Sequence, residues 1–187
     1  FFKNELIQHQ ILFEEPSLIL QIKHYGLRFG LLLTLGVVGV TTANVSLDAV
    51  KSSALATYGA ETGAMIDQWI KMITKIRGLP DKDKLLYVNN FFNSRIKWIA
   101  DIENWKEEDY WATPLETMAR RRGDCEDFSI SKYITLVMAG MPDEKLRITY
   151  VKARIDSASG AKNQAHMVLA YYPKPNAEPM ILDNMVK

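Results

Sequence analysis

The sequence predicts an α+β domain, with helices in its first part and an antiparallel β-meander after them. Two patterns support this: apolar residues recur at helical spacing through residues 64–138, and they alternate with a period of two from residue 146 onward. The 187 residues are 48% hydrophobic and 24% charged, which is typical of a globular chain. No internal repeat or interdomain linker interrupts residues 44–187, so we expect them to form one domain.

The charge balance and the cysteine count exclude several classes of protein. Lys and Arg total 23 and Asp and Glu total 22, a net charge of +1, whereas a nucleic-acid-binding surface needs a clear basic excess. A single cysteine excludes an intrachain disulfide, and no Cys/His grouping has zinc-ligand spacing. We therefore expect no nucleic-acid partner, no disulfide scaffold and no zinc module.

The N-terminal region, residues 1–43, is predicted to be a signal peptide or membrane anchor with a preceding extension. Residues 29–40 carry no charge, follow Lys23 and Arg28, and lead into the small residues 41–43. This order is typical of a secretory signal peptide, and the apolar run is shorter than the roughly 20 residues of a spanning helix. A buried core helix is the alternative. We expect the domain that follows to lie outside the cytoplasm.

Two amphipathic helices are predicted near the start of the domain. The first covers Ala64–Ile76 and is stopped by Gly78 and Pro80, and the second covers Lys82 to about Arg95. The inward residues are expected to be Met65, Ile66, Trp69, Ile70, Ile73, Ile76, Leu85, Val88, Phe92 and Ile96. Such apolar stripes predict core packing rather than a cofactor site. Residues 98–111 have no clear period and are predicted to form a structured loop.

Two further helix starts carry capping signals. Thr113, followed by Pro114 and Glu116, predicts an N-cap with a capping box. Asp124 is the predicted N-cap of the next helix, with Asp127 three residues later. The apolar face of this central helix is expected to consist of Phe128, Tyr133, Ile134, Val137 and Met138.

The last part of the chain predicts strands at Leu146–Ile155, Gln164–Tyr172 and Met180–Met185. A hairpin that turns near Lys174 and Pro175 would place His166 directly opposite Asp183 on neighbouring strands.

The residues that suggest chemistry are Cys125, His166 and Asp183. Cys125 lies in the first turn of the central helix, where the partial positive charge of the helix end lowers the pKa of a thiol. A cysteine, then a histidine, then an aspartate matches a nucleophile, its base and the residue that orients the base. Taken singly, each has a structural interpretation: a small buried hydrophobe, a satisfied core histidine and a turn residue. Their combination in one exported domain favours catalysis.

Four segments of the sequence have the length and character of family motifs: Asp109–Glu116, Arg122–Phe128, Gln164–Tyr172 and Leu182–Asn184. Together they resemble the bacterial transglutaminase-like cysteine proteinases, and more closely the periplasmic LapG-type proteases. The resemblance runs from about residue 60 to the end. It implies a papain-like/transglutaminase-like core, with Cys125 as nucleophile, His166 as general base and Asp183 as the residue that orients the base.

The resemblance also implies a substrate, a regulator and a location. Such proteases cleave the N-terminal region of very large surface adhesins at a di-alanine site in the periplasm, which releases the adhesins and disperses the biofilm. They require calcium, and an inner-membrane receptor that senses cyclic di-GMP sequesters them. Members of the family extend further than Lys187, so the resemblance implies that a final strand and part of the cleft lie beyond this residue.

A Ca²⁺ site is predicted around the cysteine. Asp124, Glu126 and Asp127 flank Cys125, and three carboxylates would raise the pKa of the thiol, against the effect of the helix dipole. Ca²⁺ prefers carboxylate and carbonyl oxygens and would neutralise them. The resemblance places the metal of the family at the acids that match Asp124 and Glu126. The alternative is that Asp124 and Asp127 only cap the helix, and the two roles can coexist.

The sequence therefore predicts a calcium-dependent periplasmic cysteine endopeptidase. Two other functions share the fold. One is a transglutaminase-type acyl transferase, in which an amine rather than water attacks the acyl-enzyme. The other is a non-catalytic periplasmic binding module. The intact set of Cys125, His166 and Asp183 argues against the binding module, and hydrolysis rests on the resemblance alone.

Overall fold

The helices of the domain precede its sheet. The computed structural model describes residues 46–157 and 160–185. The helices are α1 (Leu47–Tyr58), α2 (Gly63–Ile76), α3 (Asp81–Arg95), α4 (Asp101–Asn104), α5 (Pro114–Arg120) and α6 (Cys125–Met138), with 3-10 turns at Ala60–Thr62 and Asp143–Lys145. The strands are β1 (Lys97–Trp98), β2 (Arg122–Gly123), β3 (Leu146–Ser157), β4 (Gly160–Tyr171) and β5 (Met180–Leu182). The predicted α+β class, with helices first and an antiparallel meander after them, is confirmed.

The predicted N-terminal signal segment and its preceding extension, residues 1–43, lie outside the described residues. Of the helices that the structure describes, none is long and apolar enough to cross a membrane.

The first two predicted helices are confirmed as α2 and α3, each one residue longer at its start than predicted. Their inward residues lie in the core as expected, except that Ile70 is only partly buried. Helix α1 was not predicted, because it contributes a single fully buried residue, Ala54, and so has no apolar stripe. Helices α2 and α3 therefore supply many of the buried apolar side chains of the core.

The central helix α6 buries a more polar face than predicted. Val137 is 39% exposed, whereas Ser129, Ser131, Lys132, Thr135 and Leu136 are buried. Thr135 shows how a hydroxyl is accommodated there: it donates to the main-chain oxygen of Ser131 at 2.6 Å and accepts from Trp69 Nε1 at 2.8 Å. Helices pack on one side of α6 and strands β3 and β4 on another, so residues around most of its circumference are buried. A sequence pattern that assumes one apolar face and one solvent-exposed face does not identify the buried residues of such a helix.

Strands β3, β4 and β5 form an antiparallel sheet in that order. The β3–β4 pairing continues to Ser157 and Gly160, although residues 156–163 were predicted to separate the strands. That segment has few apolar residues and gives no period-two signal, but main-chain pairing does not require a buried face.

The predicted register between β4 and β5 is wrong by two residues. Leu169 pairs with Leu182, whereas the predicted register places it opposite Met180. His166 and Asp183 are therefore not directly opposite, and Asp183 lies just past the end of β5. The turn centre is hard to place because residues 173–179 include several turn formers. A shift of two residues keeps every side chain on the same face of the sheet.

A polar contact joins helix α3 to the sheet. Asp81, at the start of α3, forms an ion pair with Lys145, whose Nζ donates a hydrogen bond to its carboxylate at 2.7 Å. The Tyr171 hydroxyl on β4 donates to the same carboxylate at 2.7 Å. The hydrogen bond from Lys145 is the largest of the effects that lower the pKa of Asp81, followed by that from Tyr171, while burial opposes them.

The segment between α3 and α5 is brought to the start of α6 by two short strands. Strand β1 pairs in parallel with β2, so that Trp98 lies beside Gly123. The segment predicted as a loop contains α4, and Trp105 follows this helix directly. The Trp105 ring stacks on Tyr110, with the ring centroids 4.2 Å apart. The Arg120 guanidinium lies 3.8 Å from the centroid of the Trp105 ring. This arrangement places the acidic start of α4 near the cysteine.

Candidate active site

Helix α6 begins at Cys125 with the predicted cap. Asp124 is the N-cap, and its main-chain N–H donates to Asp127 Oδ2 at 3.4 Å in a capping box. The preceding Gly123 is required by close approach, since a Cβ there would lie 2.5 Å from Asp127 Oδ2. The Asp127 side chain that caps the first turn of α6 therefore leaves no room for a Cβ atom at position 123.

Asp127 is a buried structural anchor as well as a capping residue. Its Oδ1 accepts from the main-chain N–H of Ala112 at 2.8 Å, which ties α6 to the segment before α5. Burial raises the pKa of Asp127 to about 7, although the N–H groups of Ala112 and Asp124 act in the opposite direction. The expectation that Asp127 caps the helix is confirmed.

The Cys125 thiol is partly buried and donates to Glu126 Oε2 at 3.0 Å. Burial raises the pKa of this thiol, and the hydrogen bond to Glu126 and the charge of Glu126 raise it further. A hydrogen bond from the main-chain N–H of Met167 lowers it. The expected lowering of the thiol pKa by the helix N-terminus is therefore outweighed, first by burial and then by the flanking carboxylates of Glu126 and Asp124.

His166 and Asp183 form a hydrogen-bonded pair. His166 is 3% exposed, and its Nε2 lies 2.8 Å from Asp183 Oδ1. This contact leaves Nδ1 as the ring nitrogen that remains for another partner. Met167, the next residue on β4, is the one whose N–H reaches the Cys125 sulfur, so the strand that carries the imidazole adjoins the thiol.

Asp183 is held by several contacts. Its Oδ1 also accepts from the main-chain N–H of Met185 at 2.8 Å, and its main-chain oxygen accepts from Asn93 Nδ2 at 2.7 Å. Burial raises the pKa of Asp183, but hydrogen bonds from His166 and Met185 and the positive charges nearby outweigh it, so that the pKa lies below its ordinary value. The carboxylate is thus ionised and oriented toward the imidazole.

Two overlapping groups of acids surround the start of α6. Carboxylate oxygens of Asp101, Asp124 and Asp127 lie within 4.8 Å of one another, as do those of Asp101, Asp109 and Glu126. All three acids predicted as metal ligands therefore belong to one cluster.

Asp101 is the shared member, and sequence reasoning missed it. It stands at the start of α4, is 3% exposed, and accepts from the main-chain N–H of Tyr110 at 2.5 Å through Oδ2. It is far from Cys125 in sequence, inside a segment predicted as a structured loop without a clear period, so no local spacing indicated it as a ligand.

The acidic cluster fits a hard cation. Oδ1 of Asp101 and Oδ1 of Asp124 are buried and have no hydrogen-bond partner among the described residues. Burial, the hydrogen bond with Glu126 and its charge, and the charges of Asp101 and Asp127 raise the pKa of Asp124 to about 9. Buried acceptor oxygens without donors, gathered from several carboxylates, are the donor set that Ca²⁺ takes.

The family of the chain follows from a match that covers the residues of this site. The model of the bacterial transglutaminase-like cysteine proteinases (BTLCP) matches residues 70–187, which include the cysteine, the histidine and the acidic cluster. The chain belongs to this family. No curated protein matches the chain in sequence.

Among solved structures, those of LapG from Legionella pneumophila are similar to the chain. LapG in its calcium-bound form is 38% identical, with a TM-score of 0.63, over 76% of this chain and 74% of that one. EGTA-treated LapG is also 38% identical, with a TM-score of 0.62, over 76% of this chain and 72% of that one. The family match and this likeness confirm the transglutaminase-like core expected from the sequence.

Proposed function

We propose that this family member is a calcium-dependent cysteine endopeptidase, with Cys125 as nucleophile, His166 as general base and Asp183 as the residue that orients the imidazole. The observation that carries the proposal is the hydrogen bond between Asp183 and His166, which lies on strand β4, together with the packing of β4 on the helix that carries Cys125. A buried imidazole held by a carboxylate through Nε2 presents its other nitrogen for proton transfer.

In the proposed reaction the Cys125 thiol passes its proton to Nδ1 of His166, and the sulfur attacks the carbonyl carbon of the scissile peptide bond. The C–N bond then breaks, the imidazolium returns its proton to the leaving amine, and a thioester remains. His166 next takes a proton from water, whose oxygen adds to the thioester carbonyl. The C–S bond breaks, the imidazolium returns its proton to the sulfur, and the products are a new carboxyl terminus and the regenerated thiol.

The residues that would hold calcium are Asp124, Glu126 and Asp127, joined by Asp101. Bound calcium would supply positive charge beside the thiol and so offset the carboxylates that raise its pKa. Glu126, which accepts from the Cys125 thiol with Oε2 3.0 Å from the sulfur, would no longer be free to accept that hydrogen bond if it held calcium. The likeness to calcium-bound LapG supports this assignment.

The proposed substrate is the N-terminal region of a large surface adhesin, cleaved at a di-alanine site in the periplasm, with release of the adhesin and dispersal of the biofilm. An inner-membrane receptor that senses cyclic di-GMP is the proposed sequestering partner. The support for these assignments is membership of the family and the similarity to LapG.

A cleavage assay tests this proposal. The chain is incubated with an adhesin N-terminal fragment that contains an Ala-Ala site, with calcium or with chelator, and the products are identified by mass spectrometry. A matched fragment carries Glu-Glu in place of Ala-Ala. We expect hydrolysis between the two alanines with calcium only, and none of the matched fragment. Cleavage that is unaffected by chelator contradicts calcium dependence, and transfer of the acyl group to an added amine in preference to water indicates a transglutaminase instead.

A further inference from the structure

Three exposed cations meet where strands β1 and β2 pair. Lys97 lies directly opposite Arg122 in the parallel ladder, and the main-chain N–H of Lys97 donates to the main-chain oxygen of Arg121 at 3.0 Å. The side chains of all three residues are exposed. We call this group, Lys97, Arg121 and Arg122, the basic face. Neither the proposed catalytic residues nor the proposed calcium ligands belong to it.

The charges of the basic face are not neutralised within the part of the chain that the structure describes. No carboxylate there forms an ion pair with any of the three cations. Arg122 Nε donates to the main-chain oxygen of Arg120 at 3.4 Å, whereas the side chains of Lys97 and Arg121 donate to no described residue. Most of the hydrogen-bond donors of the basic face are therefore available to a ligand.

The arrangement is unfavourable for the isolated fold in two respects. Like charges directly opposite each other on paired strands destabilise the pair. Arg121, at the end of α5, has a φ of 53°, in the left-handed region where a helix end favours glycine. The ladder itself is made by the main chain and needs no cation at these positions. Repulsion and strain without an internal compensation indicate that the basic face binds an anion.

The basic face points away from the acidic cluster around the cysteine. A Cβ at Gly123 would lie 2.5 Å from Asp127 Oδ2, so that side of β2 is directed at Asp127. Successive residues of a strand point to opposite faces, which directs Arg122 and its partner Lys97 to the other side. The carboxylates of the acidic cluster therefore lie on the wrong side of the ladder to compensate the three cations.

An acidic peptide fits the basic face better than a lipid surface does. Sites that bind a membrane surface combine cations with apolar side chains that enter the lipid. The exposed apolar residue of this ladder is Trp98, but it pairs with Gly123 and so lies on the opposite face from Lys97. A guanidinium, in contrast, matches a carboxylate through two parallel hydrogen bonds. Cations on two neighbouring strands can pair with carboxylates that follow one another along an extended peptide.

We propose that the basic face is a docking surface for an acidic segment of a partner protein, rich in glutamate or aspartate. The carboxylates of the segment pair with the guanidinium groups of Arg121 and Arg122 and with the Lys97 ammonium, and so relieve the repulsion between them. Because these ion pairs are exposed, each is weak and is screened by salt. Docking does not use the thiol, so Cys125→Ser binds the segment as the wild type does, whether or not the chain is an endopeptidase.

The first test measures the binding of a fluorescein-labelled oligoglutamate peptide by fluorescence anisotropy. The ionic strength is low, and calcium is left out because carboxylates bind it. We expect Lys97→Gln/Arg122→Gln to weaken the affinity by about tenfold. The matched control is Arg147→Gln/Lys174→Gln, which removes one arginine and one lysine from exposed positions on β3 and after β4, and it should bind as the wild type does.

Two further probes define the ligand class. Oligoglutamine of the same length should not bind, and added salt should remove the binding of oligoglutamate. Equal affinities of the two double variants for oligoglutamate overturn the proposal, as does a wild-type chain that does not bind it. Sedimentation with vesicles of phosphatidylglycerol and phosphatidylcholine, without binding of oligoglutamate, assigns the basic face to a lipid surface and overturns the proposal as well.

The second test needs no ligand, because it measures the repulsion within the basic face. Lys97→Gln removes one of the two charges that lie opposite each other, so it should unfold at a urea concentration equal to or higher than that of wild type at low ionic strength. Arg122→Gln should behave in the same way. A lower urea midpoint for both variants would show that the two cations stabilise the fold, and it would overturn the proposal that they are present for a ligand.

Discussion

His166 Nε2 lies 2.8 Å from Asp183 Oδ1, although the two residues are not partners in the β4–β5 ladder. Asp183 is displaced by two residues from the position opposite His166, and its side chain reaches the imidazole diagonally from just beyond the end of β5. Contacts to neighbours displaced by two positions are within the reach of longer side chains in a sheet. The Met185 N–H holds the Asp183 carboxylate and the Asn93 amide of α3 holds its main-chain oxygen, so both the side chain and the main chain of Asp183 are fixed.

His166→Ala tests whether the imidazole activates the thiol. We expect cleavage to be lost as completely as on removal of the nucleophile, because base and nucleophile act as one unit. Asp183→Asn should lower kcat strongly but less completely, since it disturbs the tautomer and orientation of the ring. Alkylation of Cys125 by iodoacetamide at neutral pH should be slower in His166→Ala. Equal alkylation rates in wild type and His166→Ala would show that the two residues do not act together.

Asp101→Asn tests the calcium site. It keeps the size of the side chain but removes the charge shared by both acidic groups, so calcium affinity should fall by about ten- to a hundredfold. Asp124→Ala and Glu126→Ala should remain inactive with or without added calcium. Glu103→Gln, an exposed acid on the same short helix, is the matched control and should bind calcium as the wild type does. Calorimetry measures the affinities, and equal values for Asp101→Asn and Glu103→Gln would remove Asp101 from the site.

Gly123→Ala tests the close packing beneath the first turn of α6. The added Cβ would lie 2.5 Å from Asp127 Oδ2, so Asp127 must move from Ala112 and from its capping position. We expect the free energy of unfolding to fall by about 1–3 kcal/mol. Gly78→Ala is the control, because nothing lies within 4 Å of a Cβ there. Urea denaturation compares the two, and similar midpoints for both variants would contradict this account of Gly123.

Asp81→Asn tests the contact between the helices and the sheet, and its effect depends on pH. The hydrogen bond from Lys145, followed by that from Tyr171, lowers the pKa of Asp81 below its ordinary value of 3.8 in the folded state. The stabilisation is therefore present above that ordinary value and is lost as the pH falls through the lowered one. Asp81→Asn should unfold at lower urea than wild type at neutral pH, and the difference should shrink in acid. Asp83→Asn, an exposed acid in the same turn, should show no such pH-dependent difference.

The parts of the fold that sequence reasoning predicted are those with local signals. The stripes of α2 and α3, the caps Thr113 and Asp124, and the alternation of β3 and β4 each depend on residues a few positions apart. The order of Cys125, His166 and Asp183 could also be read from the sequence, and Cys125 and His166 lie on the predicted helix and strand, whereas Asp183 lies just past the end of β5.

The parts that were missed depend on contacts between distant segments. Asp101 reaches the acidic cluster through the parallel pairing of β1 with β2, which no local pattern indicates. Lys132 and Ser131 are buried because α6 is surrounded on most sides, while the sequence shows only their polarity. The β4–β5 register depends on the path of a turn with several possible centres.

The most direct test of the central claim, that the Cys125 sulfur is the nucleophile, is the cleavage rate of Cys125→Ser. The rate is measured in calcium on the adhesin fragment, beside wild type, and circular dichroism and calcium calorimetry show whether the variant is folded and loaded. Because a hydroxyl is far less ionised than a thiol, we predict a folded, calcium-binding variant with no detectable cleavage. Cleavage by Cys125→Ser at a rate near that of wild type would contradict the account.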